Sequence, residues 1–115
     1  MPMTRQDLID YCLTFPDAYE DYPFDDATPF LRRRVNRKGF ALFLNVHGEE
    51  CVNLKGHPDR AKLYRLVYPD VMPGFHMNKI HWNTVRIGGG VPGDELTSMV
   101  AHSYGLAAPP HRPLR

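Results

Sequence analysis

Cysteine is nearly absent from this chain of 115 residues, which holds only Cys12 and Cys51. A lone pair makes no disulfide framework, and a chain of this length buries roughly two-thirds of its unfolded surface without one. Both cysteines stand beside apolar residues (Tyr11 and Leu13; Val52 and Leu54), so they read as buried thiols rather than nucleophiles or metal ligands. Long apolar runs are missing too. Nothing approaches the ~20 residues of a spanning helix, so no membrane partner is expected. The opening Met-Pro-Met-Thr-Arg-Gln-Asp has no apolar stretch ending in a cleavage site, which makes the cytoplasm the expected compartment. Neither sign of charge dominates: the net charge is +1, with 23% charged and 43% hydrophobic residues, a globular balance. The length suits one domain, read as residues 1–115 with an ordered core of about 4–107.

The charge is unevenly spread. Residues 1–26 sum to −6, whereas residues 27–86 sum to +7. Such a pattern fits a polarised surface, and it fits equally two segments that pack together and neutralise one another.

Periodicity gives the elements. Thr4 with Asp7 resembles a capping box, and Leu8, Tyr11, Cys12 and Phe15 recur at helical spacing, predicting a helix over about 4–14. Pro16 to Pro29, with three prolines, reads as an irregular connection. Three strands follow (30–35, 40–46 and 51–55), joined by short Gly-containing turns as an antiparallel meander. The first has no cleanly apolar face and reads as peripheral. Pro58 opens a helix to Tyr68 with an apolar stripe of Leu63, Leu66 and Val67. A brief extended piece in 71–79 and a strand over 82–87 precede a last helix, 92–105. Ala107 to Arg115 reads as a frayed tail. The fold class is α+β: a two-layer sandwich with helices on one face of an antiparallel sheet.

Catalytic patterns are not found. His76 and His81 stand five apart without a Cys, Asp or Glu in their segment, short of the three or four ligands a zinc site needs. Ser98 and Ser103 lie inside a predicted helix, away from any strand-to-helix elbow. Gly88-Gly89-Gly90 lacks the spacing of a phosphate loop. No enzyme activity, metal or cofactor is expected. In the polar block 74–84, Trp82 is the expected buried anchor, with His76, Asn78 and Asn83 satisfying loop backbone.

The basic cluster is more informative. Arg32, Arg33, Arg34, Arg37 and Lys38 span a strand and its turn, with Arg32 and Arg34 on one face and Arg37 and Lys38 at the tip. A hairpin tip carrying cations can lie against phosphates. The same residues also serve as charges that keep an edge strand from aggregating.

Tyr22-Pro23-Phe24, Asn53-Leu54-Lys55, Tyr68-Pro69, the block Gly74-Phe75-His76-Met77-Asn78-Lys79, His81-Trp82-Asn83-Thr84-Val85 and Ser103-Tyr104 occur together. On these motifs the sequence resembles the MmcQ/YjbR family over roughly residues 4–107. Phe75 stands where Tyr is common, and Gly56 where Cys is common. The resemblance implies an α-β(3)-α-β(2)-α fold, related in shape to type III secretion chaperones and described as a double-wing DNA-binding motif. It brings no catalytic residues. Two functions follow from it. One is a DNA-binding module using Arg32, Arg34, Arg37 and Lys38 as one wing and Asn78, Lys79 and His81 as the other. The alternative is a protein-binding adaptor that uses an exposed sheet face or the acidic loop 17–26.

Overall fold

Thr4 starts the first helix, α1 (Arg5–Cys12): its hydroxyl accepts from the Asp7 amide while Asp7 Oδ2 accepts from the Thr4 amide. This is the capping box read from the sequence, and its hydrogen bonds hold the Asp7 carboxyl below its usual range. The computed structural model describes residues 3–109. Within them the chain continues as β1 (Ala18–Asp21), β2 (Phe30–Arg33), β3 (Gly39–Val46), β4 (Glu49–Lys55), α2 (Pro58–Val67), β5 (Val71–Pro73), β6 (Trp82–Arg86) and α3 (Gly93–Leu106). The strands form one antiparallel sheet in the order β1-β2-β3-β4-β6-β5. The α+β class holds, with one strand more than expected.

The additional strand is β1, inside the stretch read as irregular. Two of its four residues are acids, a weak strand signal. Its stability comes from the partner strand. Tyr19 pairs with Arg32, Asp21 Oδ2 lies 2.9 Å from Arg32 Nε, and Asp17 Oδ1 accepts from Arg33 Nε at 3.1 Å. The Arg34 guanidinium lies 4.7 Å from the centre of the Tyr19 ring. The Arg32–Asp21 contact is an ion pair whose Nε lacks hydrogen-bond alignment. Part of the acidic opening therefore neutralises part of the basic middle, and β2 is an inner strand rather than a peripheral one.

Between β2 and β3 the register slips: Leu31 faces Ala41, but Arg32 faces Gly39. Phe40 is the extra residue of this bulge and joins Ala41 and Phe43 in the core. The Phe30 ring crosses Gly39, so a Cβ there would push the ring aside. Helix α3 closes the bulge from above. Ser103 Oγ donates to the Phe40 carbonyl at 2.6 Å and accepts from the Lys55 amide at 2.9 Å. Leu8, Leu96, Met99 and Val100 complete the core from the helix side.

Cys12 and Cys51 are buried, as expected. Burial pushes the Cys12 thiol up to about 12. Native protein treated with iodoacetamide at about pH 8 is expected to stay unmodified at Cys12 until denaturant is added, as read by mass spectrometry. Fast native alkylation would show that α1 opens from the sheet.

Three local expectations are corrected. Leu63, Leu66 and Val67 are exposed, at 55%, 78% and 55%. Helix α2 instead turns Ala61, Tyr64 and Arg65 inward: Arg65 donates to Asn83 Oδ1 at 2.8 Å, and Asn83 Nδ2 donates to the Ala61 carbonyl at 2.9 Å. Paired polar groups override the apolar stripe. Trp82 is half-buried rather than a sealed anchor. The tail expected to fray begins with Ala107, which is 2% exposed, caps α3 and accepts from Asn36 Nδ2; residues 110–115 lie outside the described ones. No helix among the described residues is long and apolar enough to cross a membrane.

Candidate nucleic-acid interface

Antiparallel pairing decides which loops share an end of the sheet. Arg32 pairs with Gly39, and Lys55 with Trp82. The hairpin tip 34–38, the junction of β4 with α2 and the residues entering β6 therefore lie together at one end. The opposite end holds the loop from β1 to β2, the turn from β3 to β4 and the approach to β5. Charge follows this division. Asp25, Asp26, Glu49, Glu50 and Asp70 lie at the second end, where Arg5 donates to the Ala27 carbonyl at 2.9 Å and Arg86 is held by Glu49 at 3.0 Å and Asp70 at 3.8 Å. The first end carries Arg34, Arg37, Lys38, Lys55, Arg60 and Lys79, against Asp17 and Asp59. Asp17 is already bound to Arg33.

At the tip, Arg34, Arg37 and Lys38 are exposed and form no ion pair among the described residues. Arg37 adopts φ 62°, and its amide donates to the Arg33 carbonyl at 2.7 Å. Asn36 fixes the turn, since its Oδ1 accepts from the Lys38 amide and its Nδ2 reaches α3. Arg32 is differently placed: besides Asp21, it serves the Arg37 carbonyl through NH1 at 2.9 Å.

The second predicted wing is largely engaged within the protein. Lys79 Nζ donates to the Gly74 carbonyl at 2.9 Å, and Asn78 Oδ1 accepts from the Ile80 amide at 2.9 Å. His81 is half-buried, and its carbonyl accepts from the Gly56 amide at 2.7 Å. Beneath this loop, Asn53 Nδ2 donates to the Phe75 carbonyl and Thr84 Oγ1 accepts from the Phe75 amide. Gly74 turns against β6, where a Cβ would meet Trp82 Cβ at 2.7 Å. The polar block is thus chiefly the scaffold of its own loop. It stays at the basic end all the same, since β2 and β6 are three strand spacings apart, about 14 Å.

The sequence did not point to Arg60, His57 and His102. The His57 amide donates to His102 Nε2 at 3.1 Å, and Arg60 NH1 lies 3.0 Å from His102 Nδ1. Burial first, then the nearby Arg60 and His57, hold the His102 imidazole below its usual range. These residues are 42 and 45 positions apart in pairs, so only topology brings them together.

The family model described as YjbR matches residues 13–106. The chain belongs to the YjbR family. It is 35% identical over 103 residues to the uncharacterized protein YjbR of Escherichia coli K12, covering 89% of this chain and 85% of that one. It is 28% identical to the uncharacterized protein YyaQ of Bacillus subtilis, covering 90% and 98%. Among solved structures, a protein from Pseudomonas syringae superposes with a TM-score of 0.82 at 29% identity, over 92% of this chain and all of that one. Deinococcus radiodurans protein DR2400, a DUF419 domain, gives a TM-score of 0.80 at 33% identity, over 90% and 77%.

Proposed function

We propose that this YjbR-family chain is a non-enzymatic DNA-binding protein whose basic end lies against the phosphates of duplex DNA. The observation that carries this reading is the segregation of exposed cations and acids to opposite ends of the sheet. Segregation orients the molecule in the field of a polyanion even at a net charge of +1. The contact set is Arg34, Arg37 and Lys38 at the tip with Arg60 beside them. Arg32 and Lys79, engaged by protein groups, serve mainly to hold the two loops in place.

Four phosphate contacts give a slope of log K against log salt of about −3.6, and a non-specific Kd of about 1–100 µM near physiological salt. Fluorescence anisotropy on a labelled duplex across a salt series measures both. Arg34→Ala and Lys38→Ala are each expected to make the slope shallower by about one unit, whereas Arg32→Ala leaves it unchanged. Absence of binding at low salt, or slopes indifferent to both substitutions, would overturn the DNA reading. A protein-binding adaptor is the second reading, and the exposed Leu63, Leu66 and Val67 on α2 favour it.

A further inference from the structure

The sheet face away from α1 and α3 is only partly covered. The β1–β2 loop lies over it from one side and the loop 74–81 from the other. Between them a groove of about 490 Å³ is left open, in the range of small-ligand sites. Its floor is Leu42 and Leu44, and its walls are Phe24, Asp25 and Thr28 facing His76 and Met77, with Asn45 at the rim. Two sequence motifs that the basic end does not use, Tyr22-Pro23-Phe24 and His76-Met77, thus meet across one concavity.

Both walls are built before any ligand arrives. His76 is held at φ 63°, in the left-handed region that few residues other than glycine adopt. Its neighbour Phe75 is fixed at both backbone groups by Thr84 and Asn53. On the other side, Asp25 Oδ1 accepts from the Ala27 amide at 2.8 Å and Oδ2 from Thr28 Oγ1 at 3.0 Å. Each carboxylate oxygen keeps a lone pair for a further donor. Phe24, 66% exposed, stacks on Phe30 with ring centroids 6.3 Å apart. No Lys or Arg lines the groove, and Asp26 adjoins it.

We propose that this groove binds a small arylalkylamine: an apolar ring over Leu42 and Leu44 between Phe24 and Met77, with its ammonium on the Asp25 carboxylate. Apolar floor, aromatic wall and an anion with spare acceptor capacity match the two halves of such a molecule. A carboxylate of the same shape meets the Asp25 charge with no Lys or Arg in the lining to offset it. The groove shares no lining residue with the phosphate-contact set of Arg34, Arg37, Lys38 and Arg60, so the inference stands apart from the DNA reading.

Titration of the uniformly ¹⁵N-labelled full chain with phenethylamine, followed by amide chemical shifts, tests it. Saturable shifts are expected at 24–28, 42–45 and 76–77, with none from phenylacetate. Asp25→Asn keeps the bond from the Ala27 amide through Oδ1 and reverses the Thr28 bond, its Nδ2 donating to Oγ1, and its exposed position spares the fold; it is expected to weaken phenethylamine by at least about tenfold. Lys38→Ala leaves that affinity unchanged. No saturable shift at those amides, equal binding of phenylacetate, or full affinity in Asp25→Asn would each overturn the proposal.

Discussion

Phe40→Ala is expected to lower the free energy of unfolding by about 3–5 kcal/mol. The ring is 0% exposed and stands at the β-bulge where β2, β3 and α3 converge. It meets Tyr104 edge-on, with centroids 5.3 Å apart, and Tyr104 stacks on Phe15 at 4.4 Å. The Arg33 guanidinium caps the same Tyr104 ring at 4.1 Å. Removing Phe40 takes away the common contact of this group. Collapse into the cavity is hindered, because the Phe40 carbonyl is fixed by Ser103. Urea titration followed by far-ultraviolet circular dichroism measures the loss. Phe40→Leu retains most of the volume and is expected to cost less than about 1.5 kcal/mol. If Phe40→Ala cost no more than Phe40→Leu, the aromatic group would be a consequence of the fold rather than a contributor to it.

The legible parts of this fold were those encoded within one segment. The capping box at Thr4 and Asp7, the apolar runs Phe40–Val46 and Cys51–Lys55 bounded by short Gly-containing turns, and the proline-opened helix α2 each state their structure locally. Strand β1 escaped because Ala-Tyr-Glu-Asp has little strand character of its own. Its pairing is set by arginines more than ten residues away, at Arg32 and Arg33. The face of α2 was misassigned for a related reason. Its buried contacts are hydrogen bonds from Arg65 and to the Ala61 carbonyl, both through Asn83, and a hydrophobicity pattern cannot register them. The candidate interface was half legible. A run of arginines is visible in sequence, but which of them face water depends on where the acids of β1 come to lie. Arg60 and His57 reach the same end only through the sheet order.

Asn53→Ala is expected to cost about 3 kcal/mol, because each buried polar group left without a partner costs about 1–3 kcal/mol. Asn53 is 0% exposed in the middle of β4, on the face crossed by the loop 74–81. Its Nδ2 donates to the Phe75 carbonyl at 2.9 Å, and its Oδ1 accepts from the Thr84 hydroxyl. The Thr84 oxygen in turn accepts from the Phe75 amide at 2.8 Å. These bonds tie one loop residue to two neighbouring strands, and alanine in place of Asn53 leaves the Phe75 carbonyl without its donor and the Thr84 O–H without its acceptor. The loss is therefore expected to be local as well as global, with faster amide hydrogen exchange at 75–77 than at core residues such as Val52. Thr84→Val deletes the shared hydroxyl, and the double variant is expected to cost less than the sum of the two by about 1–2 kcal/mol. Strict additivity, with exchange at 75–77 unchanged, would mean that packing rather than this network holds the loop.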